Sequence, residues 1–396
     1  MERLHPMTAV PSAIPPTEAI DLEEILDGVI AWVSVESPTF HVPGVNRMMD
    51  FAEGEMRALG ARIERLPGLG DGHGTTYGDC VVARLPSLTG QAGPGILILV
   101  HLDTVHLVGT LTGRLPIRRD GDKLFGPGVW DMKSGGRLAV HALKTLQRLG
   151  RAPKLPVTLM FTSDEEVGSP ANRARIEAEA KRHKYVLVPE PMRGTTCVSG
   201  RHAFQRYFVT VLGKPAHAGA TNRDGRSAIR AMARLVETIE GMTSYNRGIT
   251  YSVGVINGGT FVNVIPTEVK AQVLAVAPDE AAFEEIPARM MALTGEEDGV
   301  RIVIEKGPIR PLFRANPGTL ALFERAKSIA AEIGFELSHA QTGGGSDANF
   351  TGALGIATLD GLGCAGFGAH TFEEHLFISS VVPRCRLLAG LIGGLD

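Results

Sequence analysis

The segment MFTSDEEVGSP, residues 160–170, places three carboxylates side by side directly after an apolar run. Asp164, Glu165 and Glu166 could be ordinary surface charge, because a pair of glutamates often begins a solvated helix. Bunched carboxylates repel one another, however, unless protons or a cation neutralise them. The segment is therefore a candidate cation site, which other parts of the chain would have to complete.

Further candidate ligands follow other apolar runs of the chain. HLDTVH places His101 and Asp103 after the run GILILV, and PEP places Glu190 after the run YVLV. Asp131 lies in GPGVWDMKSGG, directly before an amphipathic segment. Imidazole and carboxylate groups are the ligands of hard or borderline divalent metals. Each residue taken singly could be a plain turn or surface residue, but together they predict one metal site.

The elements that must bring these residues together are strands of a parallel sheet. The runs GILILV, PVTLMF and YVLV are apolar on both faces, as the central strands of a covered parallel sheet are. Residues 134–150, between the first two runs, predict a crossover helix that ends at Gly150. Upstream, Asp21 and Glu24 form a capping-box pattern for an earlier helix. Ligands of such sheets bind beyond the carboxyl ends of the strands, where these candidates fall.

A different pattern begins near residue 200. FQRYFVTVLG, SAIRAMARLVETIEG, YSVGVING, TEVKAQVLAVA, DEAAFEEIPARMMAL and VRIVIEKG predict the order strand, helix, strand, strand, helix, strand of a ferredoxin-like module. We therefore predict an α/β fold with a doubly wound, mostly parallel sheet in a catalytic domain of residues 1–198 and 312–396. An inserted ferredoxin-like α+β dimerisation (lid) domain occupies residues 199–311.

Composition excludes several classes of function. The chain has 396 residues, 44% of them hydrophobic and 21% charged, which is typical of a globular protein with more than one core. A formal net charge of −3 without a long basic run argues against nucleic acid or a membrane surface as partner. Four widely spaced cysteines predict a cytoplasmic location. No run reaches the ~18 apolar residues of a membrane span, and the opening residues, a proline-containing arm, lack the apolar core of a signal peptide.

The ordered series HLDTV, GPGVWDMKSG, TSDEEVGS, PEP, GKPAHAG, NVIP, GGGSDA and GFGAHTFEEH resembles the M20 metallopeptidases, in particular glutamate carboxypeptidase and aminoacylase-type members. The resemblance implies two divalent metal ions, zinc first, with cobalt or manganese as alternatives. It also implies that His101 and Glu190 bind one ion and that Glu166 and His370 bind the other. Asp131 would bind both.

The same resemblance implies roles for three further residues. Glu165 would be the general base and acid, and Asp103 would orient the His101 ring. His217, in GKPAHAG, would donate a hydrogen bond to the tetrahedral oxyanion in the active site of a partner subunit, which implies a homodimer. Without the resemblance, His217 could be a surface histidine on a turn. Glu374 is expected beside His370 rather than as a ligand.

Substrate contacts are implied at Arg201, Asn263 and the Gly-rich loop around Gly344. The chain departs from the family at one such place. After NVIP the family usually carries an Asp-x-Arg motif, but Leu274 and Val276 occupy these positions here. Arg310 could bind a substrate carboxylate instead, as could the nearby Arg314.

Three hypotheses about function follow. The first is a metal-dependent hydrolase that cleaves the amide or peptide bond of a small, carboxylate-bearing N-acyl amino acid or peptide. The second keeps the same dimetal site but predicts hydrolytic deamination of an amino-substituted, aromatic acid, and the missing arginine motivates it. The third is a non-catalytic, metal-dependent binding protein. Glu165 argues against the third, because a binding protein needs no general base beside its ligands.

Overall fold

The computed structural model of the chain describes residues 13–70, 74–87 and 93–396, so most of the predicted N-terminal arm lies outside it. The α-helices of these residues are α1 (Leu22–Val33), α2 (Val42–Ala58), α3 (Ser134–Arg148), α4 (Arg173–Ala180), α5 (Ala228–Glu240), α6 (Glu280–Met291), α7 (Pro317–Ile333), α8 (Ala348–Ala353) and α9 (Val381–Gly394). The strands are β1 (Arg62–Leu66), β2 (Cys80–Leu85), β3 (Gly95–His101), β4 (Arg118–Asp120), β5 (Lys123–Phe125), β6 (Val157–Thr162), β7 (His183–Leu187), β8 (Thr196–Arg201), β9 (Ala203–Leu212), β10 (Thr250–Gly258), β11 (Glu268–Ala277), β12 (Gly295–Glu297), β13 (Val300–Arg310), β14 (Ser338–Thr342), β15 (Ala357–Leu359), β16 (Gly366–Phe367) and β17 (His375–Phe377).

The chain divides into two compact units. The first comprises the residues up to Ser199 together with Asn316–Ala340 and Ile356–Asp396. The second comprises Gly200–Ala315 and Gln341–Gly355. The larger unit is thus discontinuous in sequence, and the domain boundaries drawn from the sequence stay a prediction.

The main sheet belongs to the first unit and has the strand order β1-β2-β6-β3-β7-β15. Strands β6, β3, β7 and β15 run parallel, whereas β1 and β2 pair antiparallel at one side. Every residue of β3 and β6 is buried, as expected for strands that are covered on both faces. The prediction of a mostly parallel α/β sheet is confirmed.

The two predicted helices of this unit begin and end for local reasons. Asp21 accepts a hydrogen bond from the backbone N–H of Glu24 (3.1 Å) and caps α1. Helix α3 connects β3 to the parallel strand β6, and Gly150, two residues past its end, has a φ of +63°. Glycine adopts this left-handed conformation readily, so the chain can leave the helix and enter β6.

The second unit contains a five-stranded antiparallel sheet of order β10-β11-β9-β13-β12. Buried and half-buried residues alternate along β9, so one face of the sheet is covered. Apolar side chains of α5 and α6, among them Met232, Leu235 and Ile286, form the core against that face. The order of elements is the ferredoxin-like order expected from the sequence, with the short strand β12 added at one edge.

None of the helices within the described ranges combines the length and the hydropathy that crossing a lipid bilayer requires.

Candidate metal centre

His101 is the last residue of β3 and is 2% exposed. Its Nδ1 lies 3.0 Å from the carbonyl oxygen of Asp103, to which it donates. Its Nε2 faces three carboxylates, at 3.2 Å from Asp131 Oδ1, 3.7 Å from Glu190 Oε1 and 3.9 Å from Glu165 Oε2. A ring held by its Nδ1–H in this way presents Nε2 as a metal ligand.

Asp103 lies two residues beyond His101 and is fully buried. Its carboxylate accepts hydrogen bonds from the Thr39 hydroxyl (2.7 Å) and from the backbone N–H groups of Glu165 and Glu166 (3.2 Å each). Its Oδ1 is also 3.5 Å from His101 Nδ1. One carboxylate therefore contacts the imidazole of the candidate ligand His101 and the backbone of both Glu165 and Glu166. The orienting role of Asp103 stays a prediction, for which this geometry is suitable.

Asp131 lies at a kink directly before α3. The backbone of Val129–Lys133 forms an irregular turn in which Asp131 has non-helical dihedral angles (φ −113°, ψ 95°). Its Oδ1 lies 3.2 Å from Nε2 of His101, and its Oδ2 lies 3.3 Å from Nε2 of His370. The two oxygens of one carboxylate thus face two different imidazoles.

Glu165 and Glu166 lie in a short 3-10 turn that begins three residues after the end of β6. Because β3 and β6 are parallel neighbours, this turn begins beside the end of β3. The two side chains point to different partners. Glu165 Oε2 is 3.9 Å from Nε2 of His101, whereas Glu166 Oε2 is 3.1 Å from Nε2 of His370. The adjacent glutamates therefore serve opposite halves of the cluster.

Asp164, the third carboxylate of the segment, has different partners. Its Oδ2 accepts the backbone N–H groups of Ala171 (2.7 Å) and Asn172 (3.2 Å), and its Oδ1 accepts the side-chain amide of Asn172 (2.7 Å). The residue is fully buried. Asp164 thus holds the chain that follows the 3-10 turn.

Glu190 and His370 complete the cluster from two distant parts of the sequence. Glu190 follows β7, is 5% exposed and faces His101. His370 lies between β16 and β17, and its φ of +65° is uncommon for any residue other than glycine. Its Nε2 contacts both Asp131 and Glu166. One half of the cluster therefore has His101, Glu190, Glu165 and one oxygen of Asp131, and the other half has His370, Glu166 and the second oxygen of Asp131.

Burial and mutual contacts shift the protonation equilibria of these groups. Burial raises the pKa of Glu166 to about 8 and the pKa of Glu190 well above its usual range. Hydrogen bonds to Asp131 and Glu166 raise the pKa of His370 to about 11. Burial opposes a charge on His101, but the surrounding carboxylates, Glu190 foremost, raise its pKa well above the usual value. Protons thus neutralise a cluster that divalent cations could neutralise instead.

The donor set fits divalent metal ions. In each of two groups of three residues, the ligand atoms all lie within 4.8 Å of one another. The groups are His101, Glu165 and Glu190, and His101, Asp131 and Glu166. Imidazole nitrogen and carboxylate oxygen donors suit zinc, cobalt and manganese.

Sequence reasoning did not identify Lys133, and it placed Glu374 beside His370 without its contacts; both residues support the backbone around the site. Lys133 is 1% exposed, and its Nζ donates to the carbonyl oxygens of Trp32 (3.3 Å) and Val35 (2.7 Å). Burial lowers the pKa of this ammonium group to about 7. Glu374 contacts the backbone of the loop that carries Asp131. No local pattern could have revealed these contacts, because every partner is distant in sequence.

The predicted substrate contacts Arg201, Gly344 and Arg310 lie in the second unit. Arg201 is 6% exposed, and its Nη1 donates to the carbonyl oxygens of Gly344 (2.8 Å) and Gly345 (3.1 Å). Arg310 is 4% exposed, and its Nη1 is 3.2 Å from Asp347 Oδ1. The guanidinium of Arg201 thus contacts the Gly-rich loop, and that of Arg310 contacts Asp347, two residues after the loop. Their roles toward substrate stay predictions.

His217 and Asn263 lie on two adjoining segments of the second unit, joined by a hydrogen bond from the N–H of Ala218 to the Asn263 carbonyl (3.0 Å). The imidazole of His217 is exposed, and its Nδ1 accepts the backbone N–H groups of Gly219 (3.2 Å) and Ala220 (3.1 Å). In the neutral ring the proton therefore lies on Nε2. Nε2–H is then the hydrogen-bond donor of the neutral ring.

Residues 97–393 match the sequence profile of Peptidase family M20/M25/M40. The match spans most of the chain and includes all six residues whose side chains form the cluster. The chain belongs to this peptidase family. It is therefore a hydrolase of the metallopeptidase type, as the ordered motifs predicted.

Individual relatives agree with this assignment. Carboxypeptidase G2 of a Pseudomonas species is 31% identical over 368 residues, which cover 91% of this chain and 86% of the relative. A putative succinyl-diaminopimelate desuccinylase of Mycobacterium tuberculosis is 27% identical over 368 residues, covering 88% of this chain and 93% of the relative. The fold is also that of a dipeptidase of Saccharomyces cerevisiae, with a TM-score of 0.76 at 15% identity over 95% of this chain and 97% of the other.

Proposed function

We propose that this M20 hydrolase cleaves the amide bond of an N-acyl amino acid or small peptide and that it uses two divalent metal ions, zinc first. The observation that carries the proposal is the position of Asp131, whose two oxygens lie 3.2 and 3.3 Å from the imidazoles of His101 and His370. His101 and Glu190 would bind one ion, Glu166 and His370 the other, and Asp131 both. The cytoplasmic location predicted from the cysteine pattern is kept as part of this proposal.

The residues of the cluster would divide the work of hydrolysis. The chemistry supplied by the bound ions is a water molecule of lowered pKa and a polarised substrate carbonyl. Glu165 accepts the proton of the attacking water on its carboxylate and returns it to the departing nitrogen. Asp103 keeps the His101 ring and the backbone of Glu165 fixed during both transfers. The names of the two relatives, a carboxypeptidase and a putative desuccinylase, support a small substrate with an acyl part and an amino-acid part.

A homodimer formed through the second unit belongs to the same proposal. Strand β10 is an edge strand of its sheet, and Val255 and Ile256 on it are exposed. Phe261 and Val262, directly after it, are also exposed. An apolar sheet edge of this kind is suited to pairing with a second copy. In such a dimer, Nε2–H of His217 would supply an oxyanion donor to the partner's site.

Removing divalent metal should abolish activity, and returning it should restore release of a free amino acid. Chelated protein, reloaded with zinc, cobalt or manganese, is incubated with N-acyl amino acids, dipeptides and aminobenzoates, and the products are identified by mass spectrometry. We expect two organic products, one of them an amino acid, because the proposed reaction breaks an amide bond.

Two other results would contradict this proposal. Release of ammonia with a single organic product would indicate deamination, which the departure at Leu274 and Val276 motivates. Tight metal binding without turnover of any compound in the panel would favour a binding protein on the same fold.

Replacing His217 with alanine should lower kcat by about 10²–10³, the usual effect of losing one oxyanion donor. In a sharper test, this variant and Glu165→Gln are mixed at equal concentration and allowed to exchange subunits. If His217 serves the partner's site, hybrid dimers contain one complete site, and about a quarter of wild-type activity returns. Absence of recovery, or a monomer in sedimentation with full activity, would contradict the proposed dimer.

A further inference from the structure

Glu374 is a buried carboxylate, 1% exposed, that is hydrogen-bonded through both oxygens. Its Oε1 accepts the backbone N–H groups of Trp130 (2.9 Å) and Asp131 (3.0 Å). Its Oε2 accepts the backbone N–H of Gly128 (3.0 Å) and lies 2.7 Å from Nε2 of His106. A buried carboxylate is costly unless it is satisfied in this way, and here all four donors belong to other segments of the chain.

The four contacts join the three segments that carry most of the candidate ligands. His106 lies five residues after His101, in the segment that leaves β3. The three N–H groups belong to Gly128, Trp130 and Asp131, at the start of the irregular turn Val129–Lys133. Glu374 itself lies four residues after His370. Asp131 must present one oxygen to each imidazole, so the orientation of its turn decides whether the two halves of the centre share a ligand.

We propose that Glu374, together with His106, is a positioning residue for the metal centre: it fixes the backbone turn of Asp131 so that both oxygens of that carboxylate reach the metal ions. The inference rests on the proposed dimetal function. Groups that orient a ligand from outside the coordination sphere commonly change metal affinity or activity by 10–100-fold when they are altered.

The distribution of donors over the two oxygens predicts how substitutions should differ. In Glu374→Gln the remaining oxygen can still accept the N–H groups of Trp130 and Asp131. The new amide nitrogen, however, would face the N–H of Gly128, donor against donor. His106 can still pair with the amide by changing its tautomer. The hydrogen bond that is lost is therefore the one donated by the backbone N–H of Gly128. Glu374→Ala removes all four bonds and His106→Ala only one, so the expected order of effects is Glu374→Ala, then Glu374→Gln, then His106→Ala.

Metal affinity and the spectrum of the cobalt-loaded protein test the proposal without relying on turnover. We expect the dissociation constant for zinc, from chelator competition, to rise about 10–100-fold in Glu374→Gln, and the visible absorption of bound cobalt(II) to change with the altered ligand geometry. In the metal-free state, the backbone amides of residues 128–131 should exchange hydrogen faster in Glu374→Gln than in the wild-type protein. At saturating metal, kcat should fall while KM stays close to the wild-type value. The control is Glu373→Gln, which makes the same change at the exposed neighbouring residue.

Wild-type zinc affinity and an unchanged cobalt spectrum in a folded Glu374→Gln protein would overturn the inference. A lower melting temperature with intact metal affinity would also overturn it, because Glu374 would then be only a structural residue. If Glu374→Ala fails to fold, the same measurements can still be made on Glu374→Gln. Failure of wild-type protein to bind divalent metal would instead refute the proposed function, and this inference with it.

Discussion

Replacing Asp131 with alanine should lower metal occupancy at both positions and reduce kcat/KM to the level of the metal-free protein. No other carboxylate of the cluster contacts both imidazoles, among the described contacts of residues 13–70, 74–87 and 93–396. Its loss would leave each ion one ligand short and would leave two like-charged ions without the anion between them. We therefore expect a larger effect than from loss of Glu190 or Glu166, each of which serves one half.

Metal content after dialysis, measured by inductively coupled plasma mass spectrometry, is the primary measurement for this variant. The matched control is Asp120→Ala, which removes a carboxylate that is 73% exposed on the short β4–β5 hairpin. The control should retain wild-type metal content and activity. An Asp131→Ala protein that binds two ions per chain with unchanged affinity would refute the bridging role and, with it, the assignment of the two halves.

The central part of the fold follows from local pattern because it is fully buried. GILILV, PVTLMF and YVLV correspond to β3, β6 and β7, with ends that differ by at most two residues. The peripheral β-structure was not predicted. Strand β1, RIERL, and strand β4, RRD, consist largely of charged residues. Such strands owe their conformation to the strands they pair with, and no local apolar pattern indicates that pairing.

Part of the candidate cluster was predicted from local pattern, because His101, Glu166 and Glu190 follow parallel strands of one sheet, whereas His370, between β16 and β17, was implied only by the ordered motifs. Each residue is individually ambiguous, and the ordered motifs supply the remaining information. Supporting contacts such as those of Glu374 could not be predicted, since a hydrogen bond between residues 246 positions apart has no local signature. The same holds for the strand partners of the two departing residues on β11, where Leu274 pairs in register with Arg206 and Val276 with Phe204. Non-local strand pairing thus places an arginine opposite Leu274, the position of the motif's aspartate, and not opposite Val276, the position of its arginine.

Glu165→Gln should lower kcat by about 10²–10⁴, the usual contribution of a general base, while leaving metal content unchanged. The substitution keeps the shape of the side chain and removes its ability to accept a proton. Because Glu165 Oε2 also lies 3.9 Å from Nε2 of His101, a loss of metal would produce a similar loss of activity. Steady-state kinetics and metal content must therefore be measured on the same protein. Glu177→Gln, which alters a surface ion pair with Arg173 in α4, is the matched control and should leave both quantities unchanged.

The neighbouring substitution Glu166→Gln distinguishes loss of a general base from loss of bound metal. Glu166 contacts His370, which also contacts Asp131. Converting Glu166 to an amide should therefore weaken metal binding in the half of the cluster that contains His370, and activity should fall as a result. Added zinc should then recover part of the activity of Glu166→Gln and none of that of Glu165→Gln. Two adjacent, isosteric changes would thus differ in their response to metal if, as proposed, one residue binds the ion and the other moves the proton. If added zinc rescues both variants equally, Glu165 acts as a ligand and another group must serve as the base.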